Sequence, residues 1–288
     1  MLKQVKEQGF RTAHECMPCF MRQMLSCAAT VAPGNEEARE AIMRECARFL
    51  AEADLSQSPP ALARILYQHM AEILGSDDMY AEEKTRANTR VLELLPRFEP
   101  LVMDSDDPLL TALALSIIGN LIDSGVDHGF NWEEALGEQL DTSFAREHYP
   151  GFKERVTKNA RVLIIGDNAG EIGLDTLLVK TMQERGAEVS YAVRTKPILN
   201  DATLNDARIV GMDKLCRVVD SGSDAPGAVL DRVSGDFIKE MDQSDVIVSK
   251  GQGNLESLYG RRRGIHFAFK AKCAVVADML SVPRGTSM

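Results

Sequence analysis

No apolar run in this chain of 288 residues is long enough to cross a bilayer. The stretch from Met1 to Glu7 holds no apolar signal core, so the expected compartment is the cytoplasm. Basic residues are in deficit: 33 Lys and Arg face 43 Asp and Glu, a formal charge of −10. A phosphate backbone needs a basic footprint, so nucleic acid is excluded as a partner. The dense basic run Arg261-Arg262-Arg263 reads as a solvated face. Six cysteines without an export signal argue against a disulfide framework. Internal repeats and low-complexity stretches are lacking too. What remains is 44% apolar and 26% charged residues, the composition of a soluble globular protein of one large or two ordinary domains. An acidic protein that handles an anionic substrate needs a local cation, and a bound metal would supply it.

The first half is patterned for helices. Apolar positions recur at three-and-four spacing over residues 14–32, 35–54, 59–75 and 80–95, and Pro96 punctuates the last of them. Asp106-Asp107-Pro108 is a helix start, an acidic cap with proline in the first turn. The helix it opens, from Leu109 to about Asp123, is apolar nearly all round, as a buried central helix would be. An amphipathic piece follows over about 131–144. Near Lys158 the character changes. Strand-like segments at 161–166, 188–193, 217–219, 245–249, 265–269 and 274–277 alternate with helical ones at 170–185, 201–210, 226–241 and about 254–260. That alternation implies a mainly parallel sheet with helices on both faces. The expected organisation is a helical domain at 1–157 and an α/β domain at 158–288.

Three strand ends carry polar residues of one chemical kind. After 161–166 comes Gly166-Asp-Asn-Ala-Gly-Glu171, where Asp167 and Asn168 offer hard oxygen ligands beyond the carboxyl end of a strand. The bland alternative is a helix cap, which needs only one such residue. The glycines lack the G-x-G-x-x-G spacing, and Arg194 and Lys196 stand where a ribose-binding acid would be, so a nicotinamide cofactor is disfavoured. After the second strand, Lys196-Pro-Ile-Leu-Asn-Asp-Ala-Thr203 supplies Asn200 and Asp201. Asp167, Asn168 and Asp201 could then hold one cation; alternatively Asn200 or Asp201 caps the next helix. Arg194 and Lys196 would hold anionic groups or lie as surface charges. The third end, Ser249-Lys-Gly-Gln-Gly-Asn254, places Lys250 as a point cation for phosphate beside Gly251, without Walker spacing.

Two further motifs lie elsewhere. Cys16-Met-Pro-Cys19 is a lone C-x-x-C in a helical region, and Cys273 would complete a three-sulfur site if the N-terminus folds over the sheet. Packed cysteines are the alternative. Asn120 and Asp123, at i and i+3 on the apolar helix, either reach the site or bond to backbone at the domain junction.

Together these motifs resemble the family once known as domain of unknown function 89, now described as metal-dependent damage-control phosphatases. C-M-P-C at 16–19, G-N-L-I-D at 119–123, G-D-N-A-G-E at 166–171, K-P-I-L-N-D-A-T at 196–203, S-K-G-Q-G-N at 249–254 and K-C at 272–273 span the chain in the family's order. The cysteine elements look like its prokaryotic branch. The resemblance implies an N-terminal helical domain and a Rossmann-like three-layer α/β domain. It implies a divalent metal (Mn, Ni, Co or Mg) on Asp167, Asn168 and Asp201, with Lys250 on the phosphate of a small monoester.

The corresponding chemistry is metal-assisted hydrolysis, with a water activated by the cation and Asp201 or Glu171 assisting. Lys250 and the amides of the 170-helix would spread the developing charge. Asp167 as nucleophile is the competing step, although the chain lacks the D-x-D of haloacid-dehalogenase phosphatases. Glu171, Asn200, Lys250, Gly251, Asn120 and Asp123 are the expected substrate contacts. A sugar phosphate is one such monoester. The rival enzyme is an S-adenosylmethionine-dependent carboxyl methyltransferase. The rival without catalysis is a metal- or redox-sensing protein built on Cys16, Cys19 and Cys273.

Overall fold

The structure is a computed structural model and describes residues 9–119, 132–140 and 143–288. Asn120 and Asp123 lie outside the described residues. The first three helices are α1 (Cys16–Val31), α2 (Glu36–Glu52) and α3 (Pro59–Leu74). The Asn35 side chain caps α2 by accepting from the Ala38 amide at 3.0 Å. Two prolines open α3, where no amide partner is lost. Their apolar stripes meet in a core of Phe20, Met24, Ile42, Leu62, Leu66 and Tyr67.

The fourth helix departs from expectation. α4 (Ala81–Met103) runs straight through Pro96 and Pro100. Both prolines are exposed and lie one turn apart on one face, so the carbonyls they leave unbonded, at Leu92 and Pro96, can be solvated. α5 (Pro108–Ile118) is the buried helix anticipated from its composition. Its cap, Asp107, also accepts from Tyr149 Oη at 2.7 Å and Lys153 Nζ at 2.8 Å, tying it to α7 (Ser143–Arg155). Between them stands α6 (Trp132–Leu140).

The sheet comprises β1 (Arg161–Ile165), β2 (Glu188–Val193), β3 (Arg217–Asp220), β4 (Val246–Lys250) and β5 (Ile265–Ala268). Their order is β3-β2-β1-β4-β5 and every pairing is parallel. Crossovers run through α8 (Glu171–Glu184), α9 (Leu204–Ile209), α10 (Met212–Leu215), α11 (Gly235–Gln243) and α12 (Gln252–Leu258). Residues 274–277, expected as a strand, open α13 (Ala274–Leu280) instead. A four-residue apolar run has no period that separates strand from helix. The helix expected at 226–241 is shorter too: Pro226-Gly227 keep the chain in a loop, and Ser234 caps α11 through the Phe237 amide at 3.1 Å.

One face of the sheet packs against α4, α5 and α8, in a core of Val91, Phe98, Leu115, Ile164, Ile172 and Val248. The other face packs Leu163, Ile165 and Ile247 against Phe237, Met241 and Leu258. This is an αβα sandwich in which α4 and α5 share a core with the sheet, while α1, α2 and α3 keep a core of their own. No helix among the described residues is long and apolar enough to cross a membrane. The strand order reverses between β1 and β4. A crevice therefore opens between their carboxyl ends, where ligands of such sheets bind.

Candidate active site at the strand ends

The loops after β1 and β2 are zipped together by backbone. Ala169 N donates to Asn200 O at 2.8 Å and Ala202 N to Asp167 O at 2.8 Å, around an isolated bridge between Asn168 and Asp201. All three expected ligands thus come from adjoining backbone, although 33 residues of sequence separate Asn168 from Asp201. None of them spends its side chain on a helix cap. The N-cap of α8 is Gly170, and that of α9 is Thr203, whose capping box uses Asp206. The capping alternative for Asp167, Asn168, Asn200 and Asp201 is thereby removed.

Asp167 lies over the first turn of α12. A Cβ on Gly251 would fall 2.0 Å from Asp167 Oδ2, and its φ of 78° also favours glycine. Gly251 therefore makes room for Asp167 by having no side chain. No hydrogen-bond donor among the described residues reaches the Asp167 carboxylate. Desolvation, then the neighbouring Asp201 charge, push the Asp167 carboxyl up to about 6, against the pull of Lys272, Arg194 and Lys250. Burial likewise raises Asp201 to about 6, opposed by Arg194.

Those shifts set a pH dependence. An unfolded aspartate titrates near 4, so in the pH range between about 4 and 6 the folded state binds more protons. The stability these two groups contribute is complete below about pH 4 and is lost as pH rises through 6. In the presence of a chelator the melting temperature is expected to fall between pH 5 and 7, and to fall less in Asp201→Asn. Calorimetric scans at the two pH values check this. A melting temperature that rises over that interval contradicts it.

The structure corrects the role of Lys250. Its side chain is fully buried and turns away from the crevice into a closed network. Nζ donates to Glu171 Oε1, to Asp175 Oδ1 at 2.9 Å and to Ser116 O at 3.1 Å. Three acceptors use all three ammonium protons. Asp175 also accepts from Ser116 Oγ at 2.5 Å and Tyr191 Oη at 2.6 Å. Desolvation works to lower the Lys250 pKa, but the Asp175 and Glu171 carboxylates overcome it and leave it raised. Lys250 thus locks α5, α8 and β4 together, and Glu171 is its partner. The α8 amides are also engaged: Gly170 N donates to Asn88 Oδ1, Ile172 N to Asn168 O and Gly173 N to Gly170 O. Those three are not open to a phosphate.

Several supporting residues escape a sequence reading. Asn88, fully buried on α4, donates to Asp206 Oδ1 at 2.8 Å while accepting from Gly170 N at 2.8 Å. Lys84, one turn earlier, reaches Asp78 at 2.8 Å and Asp206 at 3.5 Å. α4 thereby holds the loops after β1 and β2 in place. A polar residue on the buried stripe Lys84, Ala87, Asn88, Val91 was the available signal. Asp175 could have been seen as the i+4 partner of Glu171 on a buried helix. Arg194 is no surface charge: it is 1% exposed. Lys196, in contrast, is exposed.

The first turn of α1 comes close to the start of α13. Cys16, Cys19, Cys273 and Glu256 lie within one another's electrostatic reach. Burial raises the Cys16 thiol to about 11 and also raises Cys273, while burial lifts Glu256 to about 7. Gln252 donates to Cys273 Sγ at 3.4 Å and to Glu256 Oε1 at 2.8 Å. Among the described residues no three His, Cys, Asp or Glu side chains converge as ligands for one ion, either at the sulfurs or at the strand ends. A separate apolar cavity of about 490 Å³, lined by Leu113, Phe152, Val248, Phe267 and Phe269 among others, contains none of the strand-end carboxylates.

A family model described as the damage-control phosphatase ARMT1-like domain matches residues 12–288. The chain belongs to this family. A damage-control phosphatase of Archaeoglobus fulgidus is 34% identical over 279 residues, covering 94% of this chain and 95% of its own length. A damage-control phosphatase of Pyrococcus horikoshii is 32% identical over 284 residues, 96% of each chain. The crystal structure of a DUF89 family protein from Pyrococcus horikoshii aligns with a TM-score of 0.84 at 30% identity, covering 96% of this chain and 98% of that one. The resemblance read from the motifs is therefore correct, as is the α/β fold class with a parallel sheet. The family supports a phosphatase role, with small phosphorylated metabolites as the class of substrate.

Proposed function

We propose that this member of the damage-control phosphatase family hydrolyses a small phosphate monoester, such as a sugar phosphate, with a divalent cation held by Asp167, Asn168 and Asp201. The observation that carries this reading is the pair of desolvated carboxylates, joined by an amide, at the crevice where the strand order reverses. Carboxylate and amide oxygens are hard donors suited to Mg or Mn, and Ni or Co fit the same set.

A bound divalent cation supplies positive charge to the phosphoryl oxygens and lowers the pKa of a water. Asp167, Asn168 and Asp201 would hold that cation, the two carboxylates supplying charge and Asn168 a neutral oxygen that adds no repulsion toward the phosphoryl group. We assign the phosphate counter-charge to Lys272, an exposed cation whose charge acts on Asp167. The absence of a glycine fingerprint and the family's phosphatase description both favour hydrolysis over methyl transfer.

The test is phosphate release from a panel of phosphorylated metabolites with Mn, Ni, Co or Mg, against a chelated control. Metal-dependent turnover of at least one monoester is expected. Replacing Cys16 and Cys19 with serine is expected to leave the bound metal unchanged. No release from any monoester with any of the four metals sinks the reading. Loss of the metal with the two cysteines transfers it to the thiol site.

A further inference from the structure

We propose that Arg194 is the positioning residue of the cation site, acting through Asp201; the proposal rests on the function inferred above. Arg194 follows β2 and is 1% exposed. Its backbone is pinned to the Asp201 loop, with Arg194 N donating to Ala202 O at 2.9 Å and a parallel bridge to Thr203. Its guanidinium forks. Nε donates to Asp201 Oδ2 at 2.8 Å, and Nη2 donates to Asn254 Oδ1 at 3.1 Å.

Asn254 is itself held on every side. Its Nδ2 donates to Gly166 O at 3.0 Å and Lys250 O at 2.7 Å, and its Oδ1 also accepts from Ala228 N at 2.8 Å. The ends of β1, β2 and β4 thus meet on one amide and one guanidinium. A planar fork transmits that rigidity to Asp201, because the Nε bond fixes one carboxylate oxygen and so aims the other. Outer partners of this kind orient a ligand carboxylate and tune its affinity for metal.

A purely structural tie would leave no donor idle. Nη1 is buried and finds no hydrogen-bond partner among the described residues. A buried guanidinium with an orphan donor is a poor way to stabilise a fold. It is accounted for by what the charge does: two desolvated carboxylates, Asp167 and Asp201, stand side by side, and Arg194 lies within reach of both.

The alternatives predict opposite signs. If Arg194 acted only as a nearby positive charge, removing it would tighten the binding of a dication. If it positions Asp201, removing it loosens binding. Mn²⁺ affinity, read from the electron paramagnetic resonance signal of free Mn²⁺, separates them. Arg194→Gln is expected to weaken Mn²⁺ binding about 10- to 100-fold. Arg194→Lys, which keeps the charge and loses the fork, is expected to weaken it as well, and carries the test where the glutamine variant fails to fold. In an Asp201→Asn background the Arg194→Gln change is expected to have no further effect. Unchanged or tighter Mn²⁺ binding in both Arg194 variants overturns the proposal. A native protein that binds no Mn²⁺ overturns instead the function on which it rests.

Discussion

Replacing Asp167 with alanine is expected to lower kcat/KM for phosphate release by at least about a thousandfold, a loss of ~4 kcal/mol in transition-state stabilisation. The side chain accepts no hydrogen bond among the described residues and lies against Gly251, so its oxygens are uncommitted. Removing it deprives the proposed cation of a charged ligand and leaves Asn168 and Asp201, too few hard donors for tight binding. The fold should not suffer. Asp201 raises the Asp167 carboxyl, so the two carboxylates repel, and the metal-free variant is expected to melt at the same temperature as the native protein or above it. Steady-state kinetics with saturating Mn²⁺ and a melting curve with chelator check both halves. A loss of less than tenfold would remove Asp167 from the reaction. Asp167→Asn separates ligand charge from ligand volume, and it is expected to bind metal more weakly while packing normally.

Lys250→Met should act in the opposite way, on stability first. Methionine is close to lysine in length and fills the same buried space, but it strips the ammonium from Glu171, Asp175 and the Ser116 carbonyl at once. Breaking a buried ion pair by removing one partner costs about 3–5 kcal/mol, because the other charge is left uncompensated. In a chain of this length that amounts to a fall of roughly 10 °C in melting temperature. The deficit should be larger at pH 8 than at pH 5. Without the lysine the Glu171 carboxyl, which burial already raises to about 7 against the pull of Lys250, is pushed further up, and a raised carboxyl loses stability as pH rises through its folded value. Adding Asp175→Asn to Lys250→Met is expected to recover part of the loss. If the single variant melts within about 2 °C of the native protein, the lock is not what holds α5, α8 and β4 together.

The two variants separate roles that the pattern of residues left merged. Lys250 stands at the end of a strand, beside a glycine, in a loop with the chemistry of a phosphate site. Nothing local shows that its ammonium turns inward. Its acceptors lie 75, 79 and 134 residues away, on α8 and α5. Arg194 was equally ambiguous, because a lone arginine after a strand is as consistent with solvent as with burial. The strand mistaken at 274–277 and the helix break expected at Pro96 have a simpler origin. A short apolar run carries no period, and an exposed proline can be tolerated where its free carbonyl meets water.

The amino-acid order by itself determined the alternation of strand and helix, hence the parallel sheet, and it determined which residues stand at the carboxyl ends of the strands. Both follow from local periods of two and 3.6 and from the placement of Gly, Asp and Asn at strand ends. Its motifs, taken in order along the chain, were also enough to indicate the family. Only the tertiary structure decided which of those polar residues face the crevice and which face one another. It zipped Asn168 to Asp201, turned Lys250 onto Glu171 and Asp175, buried Arg194 against Asp201 and drew Cys273 toward Cys16. Such pairings depend on how helices and strands far apart in sequence come to lie against each other, and no local period encodes that apposition.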